Sequence, residues 1–141
     1  MKVLVDTSIW SLALRRKPEN LSPAEQSLVH QLRDLISEDR ILLLGVVRQE
    51  VLSGIRDLQQ FEKIRTFFRP FPDEPLEIED YEMAATANNN CRAKGIVLSA
   101  VDALICAVAL RKDLLIFTAD SDFEMYSRIF PLKLHPRIRA N

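Results

Sequence analysis

The chain has 141 residues, 48% of them hydrophobic, and its 19 Lys and Arg nearly balance 20 Asp and Glu to leave a net charge of −1. That length and composition suit a single domain over 1–141 with a sizeable core, and they exclude a disordered tail or linker. Only Met1, Lys2 and the three apolar residues Val3, Leu4 and Val5 precede Asp6, too few for a signal peptide, and no apolar run reaches membrane length, so a cytoplasmic protein without membrane contact is expected.

Taken in chain order, the first element is a short strand over residues 2–5, which runs straight into Asp6 in "MKVLVDTSIW". Its Val3-Leu4-Val5 run is built for burial, and a carboxylate seldom enters such surroundings without a partner. A helix follows in "LSPAEQSLVHQLRDLI", with Ser22 as N-cap, Pro23 in the first turn and Glu25 closing a capping box. Leu28, Val29, Leu32, Leu35 and Ile36 recur along it at helical spacing. Residues 41–44 of "ILLLG" form a second strand, of the continuous apolar kind found in sheets covered on both faces. Helical patterns continue in "VVRQEVLSGI", "DLQQFEKIRTFF", "EDYEMAATANNNCRAKG" and "SAVDALICAVALRK", with "RPFPDEP" as a connecting loop and Gly95 as a helix stop. A third apolar strand, residues 114–117 of "LLIFT", leads into "ADSDF". Strands alternating with helices predict an α/β fold, a three-layer α/β/α sandwich around a central parallel sheet. After Glu124 the chain carries Arg128, Lys133, Arg137 and Arg139 and no acid, which reads as a solvated basic end.

Ligands of such sheets bind beyond the carboxyl ends of the strands, where Asp6 and Asp120 both stand. Taken alone, Asp120 or Ser121 would simply cap the turn that follows. Glu50 falls on a helix whose Val46, Val47, Val51 and Ile55 share an arc at ~100° per residue, and it lies within that arc, opposite Arg48, Gln49 and Ser53. Gly54 leaves that face uncrowded. Asp102 is the one charge in "AVDALICAVAL", a stretch apolar all round, although its spacing from Ser99 also fits a capping box.

Four acids, Asp6, Glu50, Asp102 and Asp120, are thus each expected to point at one region. Two carboxylates 4 Å apart repel by about 4 kcal/mol at an effective dielectric near 20, so such a cluster needs a compensating charge. All-oxygen ligation suits Mg2+ or Mn2+. It disfavours zinc, since Cys91, Cys106, His30 and His135 form no ligand set, and both cysteines read as small buried hydrophobes. A hard cation in an open acidic cleft acidifies water and neutralises a phosphodiester, which is nuclease chemistry.

In this order and over nearly the whole chain, "LVDTSIW", "VVRQEVLSG", "SAVDALICAVA" and "FTADSDFE" resemble the PIN domain, most closely the VapC-like toxins of type II toxin-antitoxin systems. The resemblance implies a Mg2+- or Mn2+-dependent endoribonuclease with Asp6, Glu50, Asp102 and Asp120 as its acidic set. Thr7 or Ser8, and Thr118, match small hydroxyl positions of the family that orient waters or carboxylates. It also implies a homodimer and a cognate antitoxin protein whose tail fills the acidic groove. Asp122 supplies a second acid in the last motif. Asp120 is expected to be the fourth member, with Asp122 capping a short helix that follows or orienting water from further out. A phosphoacceptor receiver domain would need an acidic pair after the first strand, where Asp6 is followed by Thr7, and a late strand-end lysine that is absent here. A non-catalytic PIN-like RNA- or protein-binding module would show a substituted acid. Arg15, Arg16, Lys17, Lys63, Arg65, Arg69 and the basic end are the candidates for tracking an RNA backbone, and each also reads as an ordinary solvated charge.

Overall fold

The computed structural model describes residues 1–136, so Arg137 and Arg139 lie outside the described residues. Its strands are β1 (Val3–Val5), β2 (Ile41–Leu42), β3 (Leu115–Phe117) and β4 (Lys133–Leu134). Its helices are α1 (Thr7–Leu14), α2 (Pro23–Ser37), α3 (Gly45–Leu52), α4 (Leu58–Phe68), α5 (Ile78–Ala93), α6 (Ala100–Lys112) and α7 (Asp122–Tyr126), with a 3-10 turn at Pro18–Asn20.

All four strands are parallel, in the order β2-β1-β3-β4. Val3 pairs with Ile41 on one side and with Leu115 on the other, and Val5 pairs with Phe117. Successive strand residues face opposite sides of a sheet, yet Val3, Leu4 and Val5 are all fully buried. Helices therefore cover both faces, which gives the three layers expected of continuous apolar strands. From β1 the chain moves outward to β2, then crosses back over β1 to β3. That reversal beside β1 is the switch point at which open α/β sheets form a crevice.

Helix starts follow local chemistry. Ser22 Oγ accepts from the Glu25 amide at 3.1 Å and Glu25 Oε1 from the Ser22 amide at 2.9 Å, the reciprocal box that the sequence predicts. Every residue of α6 from Ala103 to Ala109 is buried, and α5 packs along it, held by the Arg111 to Asp80 ion pair, while Lys112 pairs with Glu74 in the loop before α5. Cys91 and Cys106 are free thiols within this packing.

Two elements differ from expectation. α1 begins one residue after β1 ends, with no linker to announce it, and β4 is a two-residue edge strand inside what reads as a tail. β2 is also shorter than the apolar run around it. Leu43 turns away to bridge Asp73, and Leu44 becomes the N-cap of α3.

Candidate active site

Asp6 stands where β1 becomes α1, at the N-cap, and only 4% of it is exposed. Its Oδ2 accepts from Ser8 Oγ at 2.7 Å and from Thr118 Oγ1 at 2.8 Å. Each hydroxyl in turn accepts a backbone N–H from the segment after β3, Ser8 from Ala119 and Thr118 from Asp120, both at 2.9 Å. A hydroxyl has one proton, so these amides orient both protons toward Asp6. Burial pushes the Asp6 carboxyl above the ordinary carboxylate range, and the hydroxyls of Ser8 and Thr118 with the amides of Ser8 and Thr7 work against that rise. Of the two adjacent hydroxyl residues, Ser8 takes this role, while Thr7 Oγ1 is buried without a partner.

Asp102 occupies the first turn of α6. Its amide donates to Ser99 Oγ at 3.1 Å, so the helix is capped by Ser99, but its carboxylate does not close the box. Asp102 Oδ2 instead accepts from the Tyr126 hydroxyl at 3.3 Å. Burial, followed by Asp6 and Asp120 and more weakly by Glu50, pushes the Asp102 carboxyl up to about 7 against the opposing Tyr126 bond. The four acids thus lie within electrostatic reach of one carboxylate. Cys106, one turn along α6, is pushed up to about 12 by burial and then by Asp102.

Asp120 follows β3 and is half-buried, and its Oδ1 accepts from the Asp122 amide at 2.9 Å. Asp120 therefore both faces the crevice and braces the turn into α7, so the capping alternative holds in part. Asp122 is exposed as the first residue of that helix.

Glu50 departs from its expected surroundings. It is exposed, while Val47 and Val51 on the same helix are fully buried. Arg48, expected on the solvated side, turns inward instead. Its Nε donates to Asp73 Oδ1 and its Nη1 to the Phe68 carbonyl, both at 3.0 Å, and its Nη2 reaches the Phe71 carbonyl. The planar fork shares the Phe68 carbonyl with the Phe71 amide and also serves the Phe71 carbonyl, and it lies 5.6 Å over the Phe68 ring. Gly54 lies beyond the helix at φ 86°, where it makes the turn and leaves no helix face open.

Among the described residues no lysine, arginine or histidine forms an ion pair with Asp6, Glu50, Asp102, Asp120 or Asp122. The residues form an all-oxygen, uncompensated negative set that suits a hard dication. No three of their side chains group tightly enough to wrap one ion alone. Tyr126 is the site residue that sequence reasoning misses, since nothing in "DFEMY" marks a contact with position 102.

Residues 3–129 match the family model described as PIN domain. Among solved structures, the chain is similar to one in FitAcB from Neisseria gonorrhoeae, with 19% identity, TM-score 0.72, and coverage of 96% of this chain and 97% of that one. A chain of VapBC2 from Rickettsia felis, bound to a DNA fragment from their promoter, gives 19% identity and TM-score 0.73 over 96% and 98%. A chain of VapBC-1 from nontypeable Haemophilus influenzae gives 16% and 0.69 over 96% and 97%. At these identities the likeness is one of fold. No curated protein sequence matches the chain.

Proposed function

The chain belongs to the PIN domain family, and from that premise we propose that it is a Mg2+- or Mn2+-dependent endoribonuclease that acts as the toxin of a toxin-antitoxin pair. The observation that carries the reading is the uncompensated acid cluster at the switch point, built around an Asp6 carboxylate that four residues orient. A module kept only for binding would have no use for carboxylates held at such electrostatic cost.

In this reading Asp6, Asp102, Asp120 and Glu50 are the residues that would hold the cation. When bound, the cation neutralises the phosphodiester and makes a water more acidic. Asp6 would offer Oδ1, because Oδ2 accepts from both Ser8 and Thr118. Asp120 is held by its bond to the Asp122 amide and Asp102 by Tyr126, so neither has to be reoriented when substrate arrives. Glu50, exposed on α3, adds negative charge that is felt at Asp102. Similar chains belong to the FitAcB and VapBC assemblies, which supports an antitoxin protein as partner. A homodimer and a cytoplasmic setting complete the proposal, and no described helix is long and apolar enough to cross a membrane.

The test is cleavage of RNA by the purified chain, freed of any partner, in Mg2+ or Mn2+ and then in EDTA. Cleavage that depends on the metal and stops on chelation is expected. Cleavage that survives EDTA would overturn the mechanism, and an inert chain in both metals would favour the binding module.

A further inference from the structure

Tyr126 is fully buried on a helix of only five residues, and its ring meets Phe123 edge-on with centroids 5.2 Å apart. A buried phenol requires an acceptor for its proton. The acceptor here is Asp102 Oδ2, 24 positions earlier and on a different helix. The contact therefore ties α6, which carries Asp102, to the segment after β3 that carries Asp120. These two elements otherwise meet at this point through two carboxylates that repel one another.

We propose that Tyr126 is a positioning residue, whose hydroxyl fixes the rotation of the Asp102 carboxylate and so sets the metal affinity of the acid cluster. The inference rests on the metal-dependent nuclease reading and names a residue that acts through Asp102 without touching substrate. The geometry favours this role because the phenol is buried and packed edge-on against Phe123. Its hydroxyl takes up Oδ2 of Asp102 at 3.3 Å, while no hydrogen bond to Asp102 Oδ1 is found among the described residues. Outer groups that orient a ligating carboxylate in this way typically govern metal affinity by 10–100-fold.

The experiment is Mn2+ titration of the full chain by calorimetry, for wild type and Tyr126→Phe, alongside the Mn2+ dependence of RNA cleavage and melting in EDTA. Phenylalanine keeps the ring and removes only the hydroxyl. The expected result is a Kd for Mn2+ raised about 10-fold, a half-saturation for cleavage shifted by the same factor, and a saturated rate that falls much less. A Tyr126→Phe variant that binds Mn2+ like wild type overturns the inference and leaves the nuclease reading intact. A variant that no longer folds shows that the hydroxyl serves the core, and it overturns the inference too. Wild-type protein that neither binds Mn2+ nor cleaves RNA overturns both readings together.

Discussion

Asp120 and Asp122 sit two residues apart and differ in burial, the first half-buried and the second exposed. Asp120 adds to the charge felt by Asp102, whereas Asp122 is exposed at the start of α7 and donates its amide to Asp120. Asp120→Ala should therefore lower single-turnover RNA cleavage at least about 100-fold, in the range for losses at and around metal ligands, and Asp122→Ala visibly less. Cleavage of one RNA across a Mn2+ titration compares them, and a more damaging Asp122→Ala at saturating metal would exchange the two roles. At this scale legibility depends on where the contrast lies. Asp6 is conspicuous in the sequence because an apolar strand ends on it. Asp102 is conspicuous because its helix is otherwise apolar. Glu50 falls in the apolar arc of its helix by the direction of its Cβ, yet it is exposed, because a long side chain can leave such an arc at its tip. The Tyr126 contact could not be read at all, since no periodicity relates positions 102 and 126.

The helix that carries Glu50 is fixed by a clamp built on its neighbour. Arg48 ties α3 to the strap at residues 68–73, and the strap returns the contact through the Leu43 to Asp73 bridge and the Glu74 amide, which donates to the Leu43 carbonyl at 2.8 Å. Gly45 opens α3 where a Cβ would lie 3.1 Å from Asp73 Oδ2, so the carboxylate approaches a helix start that lacks a side-chain cap. Truncating Arg48 removes a charged donor from Asp73 and from the Phe71 carbonyl, while the Phe68 carbonyl keeps the Phe71 amide. Arg48→Ala should cost about 2 kcal/mol in urea denaturation, against less than about 0.5 kcal/mol for the exposed neighbour Gln49→Ala. Equal losses would mean that the clamp stabilises nothing. Elements that create their own signals were legible: Ser22 with Glu25 announced α2, and three continuous apolar runs announced β1, β2 and β3. Elements that depend on neighbours were not. α1 needs Asp6 as its N-cap with no loop between, and β4 exists only because β3 offers Lys133 and Leu134 an edge to pair with.

For the molecule as a whole, the acid cluster links folding, pH and metal. Folded Asp102 titrates at about 7, whereas its ordinary value is 3.8, so between those limits the folded chain holds a proton that the unfolded chain has released. Stability from this group is therefore fully present below 3.8 and is lost as pH rises through about 7. Asp6, also raised, contributes with the same sign. His135 opposes both, because burial lowers it from 6.5 and the unfolded chain takes up its proton more readily as pH falls. Asp102→Asn separates these contributions. In EDTA the variant should be as stable as wild type or more so, with the difference growing from pH 5 to pH 8, and it should not cleave RNA. A dication binds the ionised cluster and competes with the proton, so Mn2+ should raise the wild-type melting temperature more at pH 8 than at pH 5, and should raise that of Asp102→Asn little at either. Melting curves at both pH values, with EDTA and with Mn2+, beside a cleavage assay, make the comparison. If the Asp102 carboxylate served mainly the helix start, the substitution would instead cost about 0.3 to 1 kcal/mol at neutral pH and spare cleavage. That result would remove Asp102 from the metal site and leave the buried Asp6, with its two hydroxyl donors, as the anchor on which any revised site would have to be built.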